Sequence, residues 1–187
     1  MDRSELEHAI RAACDIIKRN EVIVVGSQAI LGTYYESELP AEATASQEVD
    51  ILPFSDDDEA DAEIADLLDG VAGEFSMFDE THGFSIDGVD LRTTTLPNGW
   101  RDRLIKVKNQ NTASLNSTFQ FTGWCLEKHD LCVAKLCAWR EKDLAFVSAL
   151  IEAGLVSAKT IAKRLKHVPE EKQIAVERAL KWIEPRI

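Results

Sequence analysis

The feature that most constrains this chain is a β-branched run that ends on a glycine: Glu21-Val-Ile-Val-Val25 delivers the backbone to Gly26-Ser27. Four apolar residues in succession read as a strand buried on both faces. Glycine at its end allows another group to approach the backbone closely. Ser27 is expected to act as N-cap of a short helix containing Gln28-Ala-Ile-Leu31. Upstream, Leu6, Ala9, Ile10, Ala13 and Ile17 recur at three- and four-residue steps, which predicts an amphipathic helix over Ser4–Lys18. Downstream, the Glu-, Ser- and Ala-rich stretch Tyr34–Gln47 reads as a loop. A second strand, Glu48-Val-Asp-Ile-Leu52, is closed by Pro53.

The acidic run Ser55-Asp-Asp-Asp-Glu59 is expected to open a helix whose apolar stripe includes Ile64, Leu67 and Leu68. Carboxylates in a first turn favour the positive end of the helix dipole, so this run reads as a solvated helix start rather than a metal site. Residues 84–91 and 104–107 read as further strands, the first interrupted by Asp87-Gly88, a hairpin-turn dipeptide. Asn109–Asn116 reads as a loop. From Glu127 onward the pattern is helical, with breaks near Gly154 and Pro169. The expected class is therefore α/β (α+β): a mixed sheet flanked by helices over residues 1–122, and a helical C-terminal subdomain over residues 123–187.

The chemistry is expected at the two strands. Side chains alternate along a strand, so Glu48 and Asp50 project from one face while Val49 and Ile51 enter the other. Two carboxylates at that spacing suit Mg2+ or Mn2+, which take their remaining ligands from water and substrate phosphates. A nucleoside triphosphate would complete such a site, its phosphates received by amides at the Gly26-Ser27 turn. Asp90, on the candidate strand Val89-Asp-Leu91, is the expected third carboxylate, as metal ligand or general base.

Taken in order, the Gly-Ser turn and helix, the acidic-x-acidic strand and the later acidic strand resemble the nucleotidyltransferase-fold superfamily. The chain looks closest to bacterial members related to abortive-infection nucleotidyltransferase toxins, over roughly Val22 to Leu150. The resemblance implies a minimal mixed-sheet core, a divalent metal, and transfer of a nucleoside monophosphate from a triphosphate to an acceptor hydroxyl on RNA, protein or a small molecule. It also implies a cognate antitoxin or toxin as partner. The segment from His129 to Asp143, ending Trp-Arg-Glu-Lys-Asp, is similar to a Lys-bearing helix followed by Arg-x-Lys-Asp in those relatives. On that basis Lys135, Arg140 and Asp143 join Gly26 and Ser27 as expected nucleotide-site residues. A lysine on an apolar helix face needs an anionic partner. A triphosphate would serve, and so would a structural salt bridge to Asp130 or Asp143. Two departures stand out: Glu48 occupies a position where many active relatives have Asp, and the loop between Ser27 and Glu48 is long.

The formal net charge of -12 opposes long phosphate backbones and anionic membranes. Against that background Arg101, Arg103, Lys106 and Lys108 form a locally basic segment. It reads either as one side of a cleft for a triphosphate or RNA end, or as an edge strand protected by Lys. Trp100 beside it reads as a core anchor. Cys14, Cys125, Cys132 and Cys137 lie in apolar contexts without C-x-x-C spacing, as buried reduced thiols would. No apolar run approaches membrane-spanning length and the N-terminus is polar, so a cytoplasmic location is expected. The P-loop, Gly-x-Ser-x-Gly and His-Glu-x-x-His patterns do not occur. Besides the enzyme, the remaining readings are a non-catalytic nucleotide- or partner-binding module on the same fold, and an antitoxin-like protein with vestigial carboxylates.

Overall fold

The computed structural model describes residues 1–53 and 58–187. Residues 55–57 of the expected acidic helix start lie outside the described residues.

Five short strands form one sheet: β1 Glu21–Val24, β2 Glu48–Pro53, β3 Ser85–Gly88, β4 Ile105–Val107 and β5 Thr122–Cys125. Their order is β3-β2-β1-β5-β4. The fully buried run Val22-Ile-Val24 puts β1 at the centre, antiparallel to β2 and parallel to β5. β2 runs parallel to β3, and β4 closes the far edge antiparallel to β5. The sheet is mixed, as expected.

Helix α1, Arg3–Ile17, starts with a capping box between Asp2 and Glu5 and ends on Lys18 in the left-handed region. Its stripe of Leu6, Ala9, Ile10, Ala13 and Ile17 is buried against the sheet. The approach is close: a Cβ at Gly123 would lie 2.3 Å from Ile10 Cδ1.

Several local expectations are corrected. Gly26, not Ser27, is the N-cap of the 3-10 helix Ser27–Gly32, and no side chain caps it. The presumed loop 34–47 contains a 3-10 turn, Glu36–Glu38, and a short helix α2, Ala41–Thr44, because Ala43 is buried and Thr44 carbonyl accepts from the N-terminal ammonium. Asp87-Gly88 is the end of a strand and not a hairpin. Gly88 is required there by α3, Asp58–Ala72: a Cβ would stand 2.3 Å from the Ala65 Cα and carbonyl oxygen. Between α3 and β3 lies α4, Met77–His82, and between β3 and β4 a 3-10 turn, Leu91–Thr93. Strand β5 went unforeseen because Gly123 interrupts its apolar pattern.

The C-terminal helices are α5 Lys128–Ala138, α6 Glu141–Glu152, α7 Ala158–Leu165 and α8 Gln173–Ile183. The breaks near Gly154 and Pro169 are where the pattern put them. A further break falls at Trp139, the left-handed C-cap of α5. Strand β5 lies across the 122/123 boundary, and one apolar core runs from α1 to α8. At the base of α5, buried Asp130 accepts from Arg103 Nε at 2.7 Å and pairs with Arg164, which also bonds Glu127.

The basic segment follows its edge-strand reading. β4 is the sheet edge, Lys106 lies 5.6 Å over Trp124, Lys108 lies 5.5 Å over Phe119, and Arg103 is held by Asp130. Trp100 is half-buried against the core. All four cysteines are buried free thiols. Among the described residues no helix is long and apolar enough to cross a membrane.

Candidate functional site

At the end of β1 the Val25 amide donates to Asp50 carbonyl at 3.0 Å, carrying the ladder one residue past the strand. Gly26 follows at φ -67°, which any residue tolerates, so what it supplies is room. A Cβ there would stand 1.4 Å from Asp50 Oδ2. The carboxylate of Asp50 occupies the volume that a side chain at position 26 would fill. Gln28 is buried and its Nε2 donates to Ser46 carbonyl at 2.9 Å, tying the segment before β2 to the glycine turn.

Glu48 and Asp50 share a face of β2, with Val49 and Ile51 fully buried on the other. In the parallel pair with β3, Asp87 stands opposite Asp50 and Ser85 opposite Glu48. Residues in register on parallel strands point to the same side, so the third carboxylate on this face is Asp87. Asp90, the sequence-based choice, instead caps the 3-10 turn: it accepts from the Arg92 amide at 2.7 Å and pairs with the Arg92 guanidinium. Neither Asp90 nor Asp87 lines the cavity beside Glu48 and Asp50, so it is the strand register that sets Asp87 on their face. Asp87 was legible only through the parity of Ser85 and Asp87 around the buried Ile86; reading Asp-Gly as a turn concealed it.

Two carboxyls on this face, Asp50 and Asp87, are held above the ordinary carboxylate range. Burial and then the charge of Glu48 push Asp50 up to about 6, with Lys135, Arg140 and Lys142 pulling the other way. Burial, the Glu48 charge and a hydrogen bond with Glu48 push Asp87 up to about 7. Its Oδ1 is buried and has no hydrogen-bond partner. Two carboxylates in contact must share a proton or a cation.

Across the cavity stand cations. Asp143, fully buried, accepts from Lys135 Nζ at 2.9 Å and from Arg140 Nε at 2.8 Å. Burial alone would raise this carboxyl; the Lys135 and Arg140 hydrogen bonds hold it below its ordinary value. Lys135 Nζ also lies 4.8 Å from the Phe146 ring centroid. The left-handed turn at Trp139 brings Arg140 and Lys142 to the same cavity wall as Lys135. Of the two partners proposed for Lys135, Asp143 is the one found, while Asp130 is taken by Arg103 and Arg164.

The cavity measures about 450 Å3, within the usual range of small-molecule sites. Gly26, Ser27, Glu48 and Asp50 form one side, Lys135, Arg140 and Lys142 the other, with Thr94 and Thr95 at the rim. The sequence reading missed Asp87, Lys142 and the two threonines. Asp143 stands behind the wall and acts on the site through Lys135 and Arg140.

The residues present fit a divalent cation that shares its coordination with a phosphate. The orphaned Asp87 Oδ1, the raised Asp50 and the all-oxygen donor set each favour a hard cation. Among the described residues no group of three or more acidic, histidine or cysteine side chains is placed to hold a metal ion. A magnesium ion needs only one or two carboxylates from a protein, with waters and substrate phosphates completing its shell.

A family model described as "Nucleotidyltransferase of unknown function (DUF6036)" matches residues 4–183. No curated protein and no solved structure matches the chain.

Proposed function

Since the chain belongs to this family of nucleotidyltransferases of unknown function, we propose that the cavity binds a nucleoside triphosphate with Mg2+ or Mn2+ and transfers its nucleoside monophosphate to an acceptor hydroxyl. The observation that carries this reading is the fit between Gly26 and Asp50: the glycine has no room for a side chain because a carboxylate fills the space, in register with Asp87.

Glu48 and Asp50 would hold the cation, with Asp87 in register beside Asp50. Bound there, it supplies Lewis-acid polarisation of phosphate oxygens and lowers the pKa of an acceptor hydroxyl. The chain's own residues do the rest. Gly26 and Ser27 offer backbone and hydroxyl contacts to phosphate oxygens, and the turn, only six residues of 3-10 helix, contributes local amides rather than a macrodipole. Lys135, Arg140 and Lys142 face the triphosphate and neutralise the charge that collects on the departing pyrophosphate. Asp143 keeps Lys135 and Arg140 in place. Asp87, in register with Asp50, would take the proton as the acceptor oxygen bonds the α-phosphorus and the bond to the β-phosphate oxygen breaks.

The test is calorimetric titration of each nucleoside triphosphate with and without Mg2+, for the wild type and Asp50→Ala, followed by an assay of pyrophosphate release. The expected result is metal-dependent binding lost in the variant, with turnover once an acceptor is supplied. Metal-independent binding unaffected by Asp50→Ala would remove the proposed site. Metal-dependent binding with no pyrophosphate released onto any acceptor would assign a binding module instead.

A further inference from the structure

Two surfaces outside the cavity lining have complementary character. On the outer side of α3 and the turn after it, Leu67, Val71, Phe75 and Met77 are exposed, the last two at 84% and 80%. Phe75 has φ 64°, a left-handed conformation that bulky residues rarely adopt, and its amide donates to Asp79 Oδ2 at 3.1 Å. The backbone is thus held so that an aromatic ring projects into water. Glu63 and Asp66 on α3, and Glu74 and Glu80 flanking the turn in sequence, are exposed. Residues 58–80 contain nine Asp and Glu and no Lys or Arg. Two copies of this face cannot meet each other, because the acids would be brought together.

The second surface is on α8. Trp139 and Trp182 flank a shallow groove of about 520 Å3, with Ile174 exposed at 87% on its rim. Arg178 lies 4.4 Å over the Trp139 ring and Arg186 3.6 Å over Trp182, and Lys181 stands between them in sequence. Glu177 is the acid on this lining. Residues 172–186 carry four cations and two acids. A projecting apolar turn on an acidic segment is matched by an aromatic groove lined by Arg178 and Lys181.

We propose that these surfaces are the two halves of a head-to-tail contact between copies of this chain, the Phe75–Met77 turn of one seated in the Trp139–Trp182 groove of the next. Because the two halves differ, the contact is heterologous, and assembly continues until a ring closes or a filament forms. The charges make association fall with salt. The contact does not depend on the nucleotide reading of the cavity.

Sedimentation velocity over a concentration series, at low and high salt, tests the proposal. The wild type is expected to sediment faster as concentration rises at low salt and to revert toward monomer at high salt. Phe75→Gly, which suits the left-handed backbone and leaves the fold intact by melting temperature, and Ile174→Asp should each weaken association by about tenfold or more. Each variant keeps one intact half, so an equimolar mixture should give a one-to-one dimer and nothing larger. A wild type that stays monomeric at every concentration, variants that associate as well as the wild type, or a mixture that stays monomeric would overturn the proposal. The first of these would leave the acidic face to a basic partner protein.

Discussion

Replacing Asp50 with Asn should make the metal-free protein more stable while disabling its site. Asp50 is raised from its ordinary 3.8 to about 6, first by burial and then by the charge of Glu48. At 1.36 kcal/mol per pKa unit that rise is worth about 3 kcal/mol against the folded state wherever the group is ionised. The opposing charges of Lys135, Arg140 and Lys142 are already within that rise, and screening by cavity water reduces what is realised to about 1–2 kcal/mol. The sign follows from linkage. The folded state holds its proton more tightly than the unfolded chain, so the penalty is complete above pH 6, shrinks as pH falls through the folded value, and vanishes below 3.8. Asn carries no such penalty. In thermal unfolding at pH 8 without divalent metal, Asp50→Asn should melt about 3–6 °C above the wild type, and the gap should close toward pH 4. Saturating Mg2+ and nucleotide should raise the wild-type melting temperature and leave the variant unmoved. A variant less stable than the wild type at pH 8, or an advantage that grows as pH falls, would refute the electrostatic reasoning.

Asp87→Ala should abolish pyrophosphate release and weaken metal-dependent nucleotide binding in calorimetry, whereas Asp90→Ala should leave both unchanged. Gly26→Ala should cost about 2–4 kcal/mol in urea unfolding, since its Cβ overlaps Asp50 Oδ2. The same substitution beside Asp50→Ala should cost less than half as much, because the two nearest obstructing atoms are gone. Asp143→Ala leaves the largely buried Lys135 without its carboxylate partner and should cost about 3 kcal/mol by urea unfolding while weakening nucleotide binding.

The parts of the fold governed by simple periodicity could be read directly from the residues. The stripe of α1, the run of β1 and the alternation of Glu48-Val-Asp-Ile each have one physical solution, and the structure adopts it. Glycines were harder. Gly88 and Gly123 sit within strands because α3 and α1 press against the backbone there, a long-range demand that nothing nearby in sequence announces. Taking the first for a turn hid Asp87, and the short segment around the second was not read as β5. For Gly26 the same close-approach reasoning gave the right position, although the group that approaches is Asp50 itself. The Lys135–Asp143 pairing came from an eight-residue spacing around a left-handed turn at Trp139, which periodicity alone does not reveal.

A crystal grown with Mn2+ and a non-hydrolysable nucleoside triphosphate, with the metal located by its anomalous scattering, tests the central claim most directly. Metal density is expected against the carboxylates of Glu48 and Asp50, with Asp87 beside them and phosphates reaching from Gly26-Ser27 toward Lys135. Metal and triphosphate bound elsewhere, or Asp87 turned away from a metal held by Asp90, would contradict it.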